Sequence, residues 1–182
     1  KGKPDMIING KTDTEGKCRL FVETPDSYRL VISKGRTGEA DYIHLMRGEV
    51  KEFLKVYYNQ FTALQDRETY TFWEHYYHAS QHKTHEEAWF LMQTRWMLWL
   101  EQDKELKLLS GIPRRWLEDG KTIALNRVAS YFGPLDVAVT SRVSAGMIEA
   151  SVKLTDKRRL PDAVVIRLPH PKGFKGVHAQ GG

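Results

Sequence analysis

Apolar residues fall at Ile43, Met46, Val50, Phe53, Leu54, Tyr57, Phe61 and Leu64, in steps of three and four. That spacing puts one stripe on one face of a single long helix over residues 41–64. Asp41 is placed to cap its start, and Gln65-Asp66-Arg67-Glu68 to end it. Upstream, Arg19-Leu20-Phe21-Val22-Glu23 and Tyr28-Arg29-Leu30-Val31-Ile32 have the composition of short strands. Pro25-Asp26 between them is turn chemistry, which predicts an N-terminal β-hairpin.

A second helix is predicted from Thr84 to Glu101. Thr84 and Glu87 have the spacing of a capping box, in which each side chain satisfies the other's backbone N–H. Trp89, Phe90, Met92, Trp96, Met97 and Trp99 leave this helix little polar face, so it is expected to be packed on most sides. Residues 102–120, punctuated by Gly111, Pro113 and Asp119-Gly120, read as a connector. Four strand-like runs follow, at residues 122–125, 136–140, 147–154 and 163–168, separated by turn signals such as Gly146. The pattern as a whole predicts an α+β chain: the hairpin, two long helices, and then an antiparallel β-sandwich-like module. The domain boundary is expected between residues 1–110 and 111–182.

Composition narrows the function classes. Net charge is only +5, from 28 basic and 23 acidic residues. No dense Lys/Arg run interleaves with the aromatics, so no nucleic-acid partner is expected. Nothing approaches the uninterrupted apolar length of a membrane span. Cys18 is the single cysteine, which excludes an intrachain disulfide and leaves the compartment open. It has no local histidine partner that would make it a nucleophile. The start at Lys1 without Met and the close at Gly181-Gly182 suggest a piece of a longer protein.

Candidate chemistry gathers in one stretch, Thr69-Tyr70-Thr71-Phe72-Trp73-Glu74-His75-Tyr76-Tyr77-His78 and on to Glu87. A carboxylate among large rings is partly desolvated, which makes Glu74 a better proton acceptor, and the neighbouring rings suit the apolar faces of a sugar. One acid among aromatics is equally often a hydrogen-bonded structural group. His75, His78, His82 and His85 include spacings that zinc ligands use. With no cysteine nearby and no helical pattern before Thr84, hydrogen-bonded imidazoles are expected and no metal is assigned. Glu86 and Glu87 complement the dipole of the helix that follows. Glu87 is assigned to the cap, while Glu86 is free to face a cleft. Arg95 is expected to pair with a carboxylate, and Arg114-Arg115 and Arg158-Arg159 to lie at the surface.

Thr71-Phe72-Trp73-Glu74-His75-Tyr76, then a short polar loop, a histidine and an aromatic helix, resembles the late barrel segment of the six-hairpin glycosidases, in particular the α-L-rhamnosidase-like branch. Thr71, Trp73 and Glu74 match that family's Thr-x-Trp-Glu-x-Trp motif. Tyr76 replaces the second Trp, and Thr84-His85 stands where Asn-His is usual. The similarity in order of elements covers roughly residues 41–168. The resemblance implies the last helices of an (α/α)6 barrel followed by the start of a C-terminal β-sandwich. It further implies a glycoside hydrolase that inverts configuration, with Glu74 as general base. Trp73, Tyr76, His78, His85 and Glu86 would be substrate contacts. The general acid would lie on an earlier barrel helix absent from this chain, so the isolated chain would be inactive. The implied partners are a carbohydrate and the remainder of the barrel, with no cofactor and a periplasmic or extracellular location. The alternative from the residues alone is a non-catalytic carbohydrate-binding or protein-interaction module, or a loop that serves only packing.

Overall fold

A computed structural model describes residues 37–74 and 82–174, with side chains from residue 42 onward. The expected hairpin at residues 19–32 lies outside the described residues. The described residues are α+β, with three α-helices and two small, mostly antiparallel sheets. The chain divides between Leu98 and Trp99 into a helical unit and a β unit. No helix among the described residues is long and apolar enough to cross a membrane.

The helical unit holds α1 (Thr37–Met46), α2 (Val50–Leu64) and α3 (Thr84–Leu98). The single helix expected over residues 41–64 is thus two, and Asp41 lies inside α1. The break has a local cause. Gly48 takes φ +73°, a left-handed conformation that ends a helix. Its N–H donates to Leu45 O at 3.1 Å and the Glu49 N–H to His44 O at 2.8 Å, which is the paired bonding of a Schellman motif. The two residues this motif brings together, His44 and Glu49, join through Nδ1 and Oε2 at 2.6 Å. Glu49 O then accepts from the Phe53 N–H at 3.0 Å, so the residue that closes α1 also starts α2. An alanine at 48 would carry a Cβ into the left-handed region. Gly48→Ala is expected to lower unfolding free energy by about 1 kcal/mol in urea titration.

On α2, Val50, Phe53, Tyr57, Gln60 and Leu64 are buried, as the stripe of threes and fours requires. On α3 the expectation of all-round packing fails. Gln93 and Met97 are its buried residues, while Leu91 is 66% exposed and Ala88 and Met92 are also exposed. Apolar residues on every side of a helix do not tell which side faces the core, and here a glutamine lies inward. The helix also stops at Leu98, not Glu101, because Trp99 already belongs to a strand.

The β unit begins with β1 (Trp99–Gln102) and β2 (Glu105–Leu108), an antiparallel pair joined by the two-residue turn Asp103-Lys104. These occupy part of what the sequence marks as a connector. The turn lacks glycine; Asp103 adopts φ +52° instead, a role for which aspartate is one of the better substitutes. A 3₁₀ turn at Arg114–Leu117 follows. Next come β3 (Thr122–Ser130), β4 (Gly133–Arg142) and β5 (Met147–Leu154), an antiparallel meander in the order β3-β4-β5. Leu135, Val137, Val139 and Ser141 alternate inward along β4. Between β4 and β5, two bonds from Ser144, the backbone amide first and then the hydroxyl, hold the Asp119 carboxyl below the usual carboxylate range.

Strict alternation would put Leu125 and Val128, three residues apart, on opposite faces of β3. A bulge at Asn126-Arg127 opposite Asp136 shifts the register, so that Leu125 pairs with Val137 and Val128 with Leu135. Arg127 sits at φ +51°, and its N–H donates to Asp136 Oδ1 at 2.8 Å. Arg127→Gly, at this exposed site, is expected to raise the urea midpoint, with a gain of about 1 kcal/mol from relief of the left-handed strain.

The fourth expected strand departs from the antiparallel module. β6 (Ala163–Ile166) pairs parallel with β2, giving a second sheet in the order β1-β2-β6. Its three leading residues, Ala163, Val164 and Val165, are all buried, the unbroken apolar run of a strand covered on both faces. Arg167 just beyond it is buried too; its N–H donates to Leu108 O at 3.0 Å and its Nη1 to Ile112 O at 2.9 Å.

Candidate active site

The site is built at the end of α2. Asp66 accepts at Oδ1 from the backbone N–H groups of Glu68 and Thr69, at 3.0 and 2.9 Å, and from the Thr69 hydroxyl at 3.0 Å. These bonds curl residues 66–70 into a turn that Tyr70 completes at φ +60°. The chain then returns alongside the helix end. The Asp66 N–H donates to Thr71 O at 2.9 Å and the Trp73 N–H to Leu64 O at 2.8 Å. An aspartate two and three residues before amides it can accept from is a readable turn signal, and Gln65-Asp66-Arg67-Glu68 was expected only to end a helix.

This reversal drops Phe72 into a cluster of rings. Its centroid lies 5.1 Å from Phe90 and 6.4 Å from Phe61, while Phe90 stacks on Phe61 at 5.4 Å and on Tyr57 at 5.7 Å. Pairs at such separations add roughly 0.5–1.5 kcal/mol each beyond their buried area. Burial pushes the Tyr57 phenol above its ordinary range, and a bond with the Thr94 hydroxyl at 3.0 Å partly offsets that. Thr94 Oγ1 itself donates to Phe90 O at 2.8 Å, which leaves the Tyr57 proton as the donor between them. Phe72 is therefore fixed, and Trp73 and Glu74 next to it are placed by a rigid neighbour.

Glu74 is partly open to solvent, with its side chain 32% exposed. Its Oε2 lies 3.1 Å from the Lys83 ammonium. Lys83 is fastened on two further sides: its N–H donates to Phe72 O at 3.2 Å, and its carbonyl accepts from the amides of Glu86 and Glu87 at 2.9 and 3.1 Å. Lys83 O is thus the acceptor that opens α3, and Thr84 occupies the first helical position rather than the expected cap. His85 is largely exposed and its Nε2 lies 3.4 Å from Glu86 Oε1; the Glu86 side chain is mostly covered. Of the sequence-predicted residues, Trp73 and Glu74 therefore share one short segment, and His85 and Glu86 share the first turn of α3. Tyr76 and His78 lie outside the described residues. Among the described residues no three His, Cys, Asp or Glu side chains come together as a metal site would require. Lys83 escapes a sequence reading, because a lysine ahead of a helix has no spacing to distinguish it.

Chemically, the arrangement offers a carboxylate open to water, tethered by an ammonium, on a segment anchored in an aromatic cluster. Comparison with protein-family models, with curated proteins and with solved structures returns no match.

Proposed function

We propose that this chain is part of a glycoside hydrolase and supplies the general base of an inverting hydrolysis. The observation that carries the reading is the partial exposure of Glu74 beside Trp73 on a segment fixed by the Phe61–Phe72–Phe90 cluster. A base must reach water, and its position must be held. Glu74 takes a proton from a water as the water oxygen bonds to the anomeric carbon. The glycosidic C–O bond breaks, and a general acid protonates the departing oxygen. In an inverting pair that acid stands roughly 6.5–9.5 Å from the base. It is assigned to helices outside this chain, with the helical unit taken as the end of an (α/α)6 barrel and the β unit as the start of a β-sandwich. Trp73, Tyr76, His78, His85 and Glu86 are the proposed sugar contacts.

The test is hydrolysis of a panel of p-nitrophenyl glycosides, α-L-rhamnopyranoside included, by the complete gene product and its Glu74→Gln variant. Equal turnover by the two removes the reading. If such equality is accompanied by loss of retention on immobilised polysaccharide in Trp73→Ala, a carbohydrate-binding module takes its place.

A further inference from the structure

Lys83 meets Glu74 from an anchored backbone, and too closely to be the acid partner of an inverting pair. A typical exposed pair joins two long, otherwise free side chains and contributes about 0–1 kcal/mol. Here the lysine backbone is bonded on both sides. Its amide is tied to Phe72 O at 3.2 Å, two residues before the carboxylate, and its carbonyl to the first amides of α3 at 2.9 and 3.1 Å. The Cα from which the lysine stem springs is therefore fixed relative to the backbone of the carboxylate that the ammonium touches. The two side chains are about equally shielded, 33% and 32% exposed, so both stay partly open to water. At 3.1 Å the ammonium stands far inside the roughly 6.5–9.5 Å at which an inverting pair leaves room for the attacking water and the sugar.

We infer that Lys83 is a positioning residue for Glu74: by holding Oε2 toward the start of α3, it restrains the carboxylate and hence the direction from which a water is deprotonated. The inference rests on the general-base reading of Glu74 and adds to it a group that orients the base. A misplaced base loses rate more than binding, because the substrate contacts stay while the proton transfer becomes poorly aligned.

The experiment uses the complete gene product with the p-nitrophenyl glycoside that it hydrolyses best, and compares Lys83→Met, Lys83→Arg and Glu74→Gln. Lys83→Met is expected to lower kcat by about ten- to a hundredfold with KM nearly unchanged. Lys83→Arg, which keeps the charge at a similar reach, is expected to recover most of that loss. Circular dichroism melting of each variant separates this result from unfolding, and the Arg variant carries the comparison if the Met variant does not fold. Lys83→Met with wild-type kcat beside an inactive Glu74→Gln overturns the inference and leaves the general-base reading in place. An Arg variant no better than the Met variant, or as inactive as Glu74→Gln, also overturns it. Glu74→Gln with wild-type turnover, or a wild type that hydrolyses none of the panel, removes both.

Discussion

Glu74→Gln is expected to reduce glycoside turnover by about 10²–10⁴, the range over which a positioned base contributes to a proton transfer. The substitution keeps the shape of the side chain and an oxygen for Lys83, but an amide does not take up a proton. KM is expected to move little, because the sugar contacts are assigned to other side chains. Stability should also hold, since the ion pair that is lost is about a third exposed on both sides. A sharper form of the measurement uses Glu74→Ala with sodium azide. Azide attacks carbon as an anion and needs no base, so it should restore turnover and yield a glycosyl azide of inverted configuration. Restoration would locate the lost function at water activation; azide without effect would mean that position 74 serves some other purpose.

Replacing Gln93 alone by leucine is expected to lower unfolding free energy by about 1–3 kcal/mol, and replacing Gln60 as well to return it. The two amides face each other between α2 and α3, 2% and 1% exposed, with Gln93 Nε2 donating to Gln60 Oε1 at 2.8 Å. The other half of each amide, Gln60 Nε2 and Gln93 Oε1, is buried with no hydrogen-bond partner among the described residues. Removing one glutamine strands the whole of the other in an apolar setting. Removing both, with leucines of similar volume, eliminates the stranded groups together. Urea titration of Gln93→Leu, Gln60→Leu and the double variant reads this out. A double variant weaker than both singles would show that the amides contribute net stability. The pair has a consequence for specificity: only one relative placement of α2 and α3 brings the amides together, so a slide along either helix leaves both without a bond.

The sequence was informative where periodicity is local. The stripe from Ile43 to Leu64 announces helix, and the alternation in β4 and β5 announces strands. Gly48 is visible, but a glycine within a good stripe does not declare its φ angle, and the break follows from the left-handed conformation it adopts. Four-residue strands such as Glu105-Leu106-Lys107-Leu108 are too short for alternation to stand out, and this one is held by β1 across a two-residue turn and by β6, more than fifty residues away in sequence. The orientation of α3 was not legible because large apolar residues on all sides cancel any directional signal, so a buried Gln93 beside an exposed Leu91 had no precursor in the pattern. At the candidate site the motif residues Trp73 and Glu74 stood out by type. The devices that hold them, the Asp66 turn and the Lys83 tether, depend on backbone amides and carbonyls that every residue carries, and so leave a fainter trace.

The parallel ladder between β2 and β6 has an effect on the meander as well. The chain leaves β2 after Leu108 and returns at Ala163, beside Glu105. Everything between is an excursion whose two ends are joined by that ladder, and whose meander is also tied to β1, by Trp99 Nε1 donating to Ala129 O at 3.1 Å and the Tyr131 N–H to Glu101 Oε1 at 3.0 Å. Lengthening a flexible loop is inexpensive in chain entropy, about 0.6 kcal/mol for a doubling of its residues, so the turns between the strands of this excursion can lengthen while the ladder at its base goes on pairing the same residues.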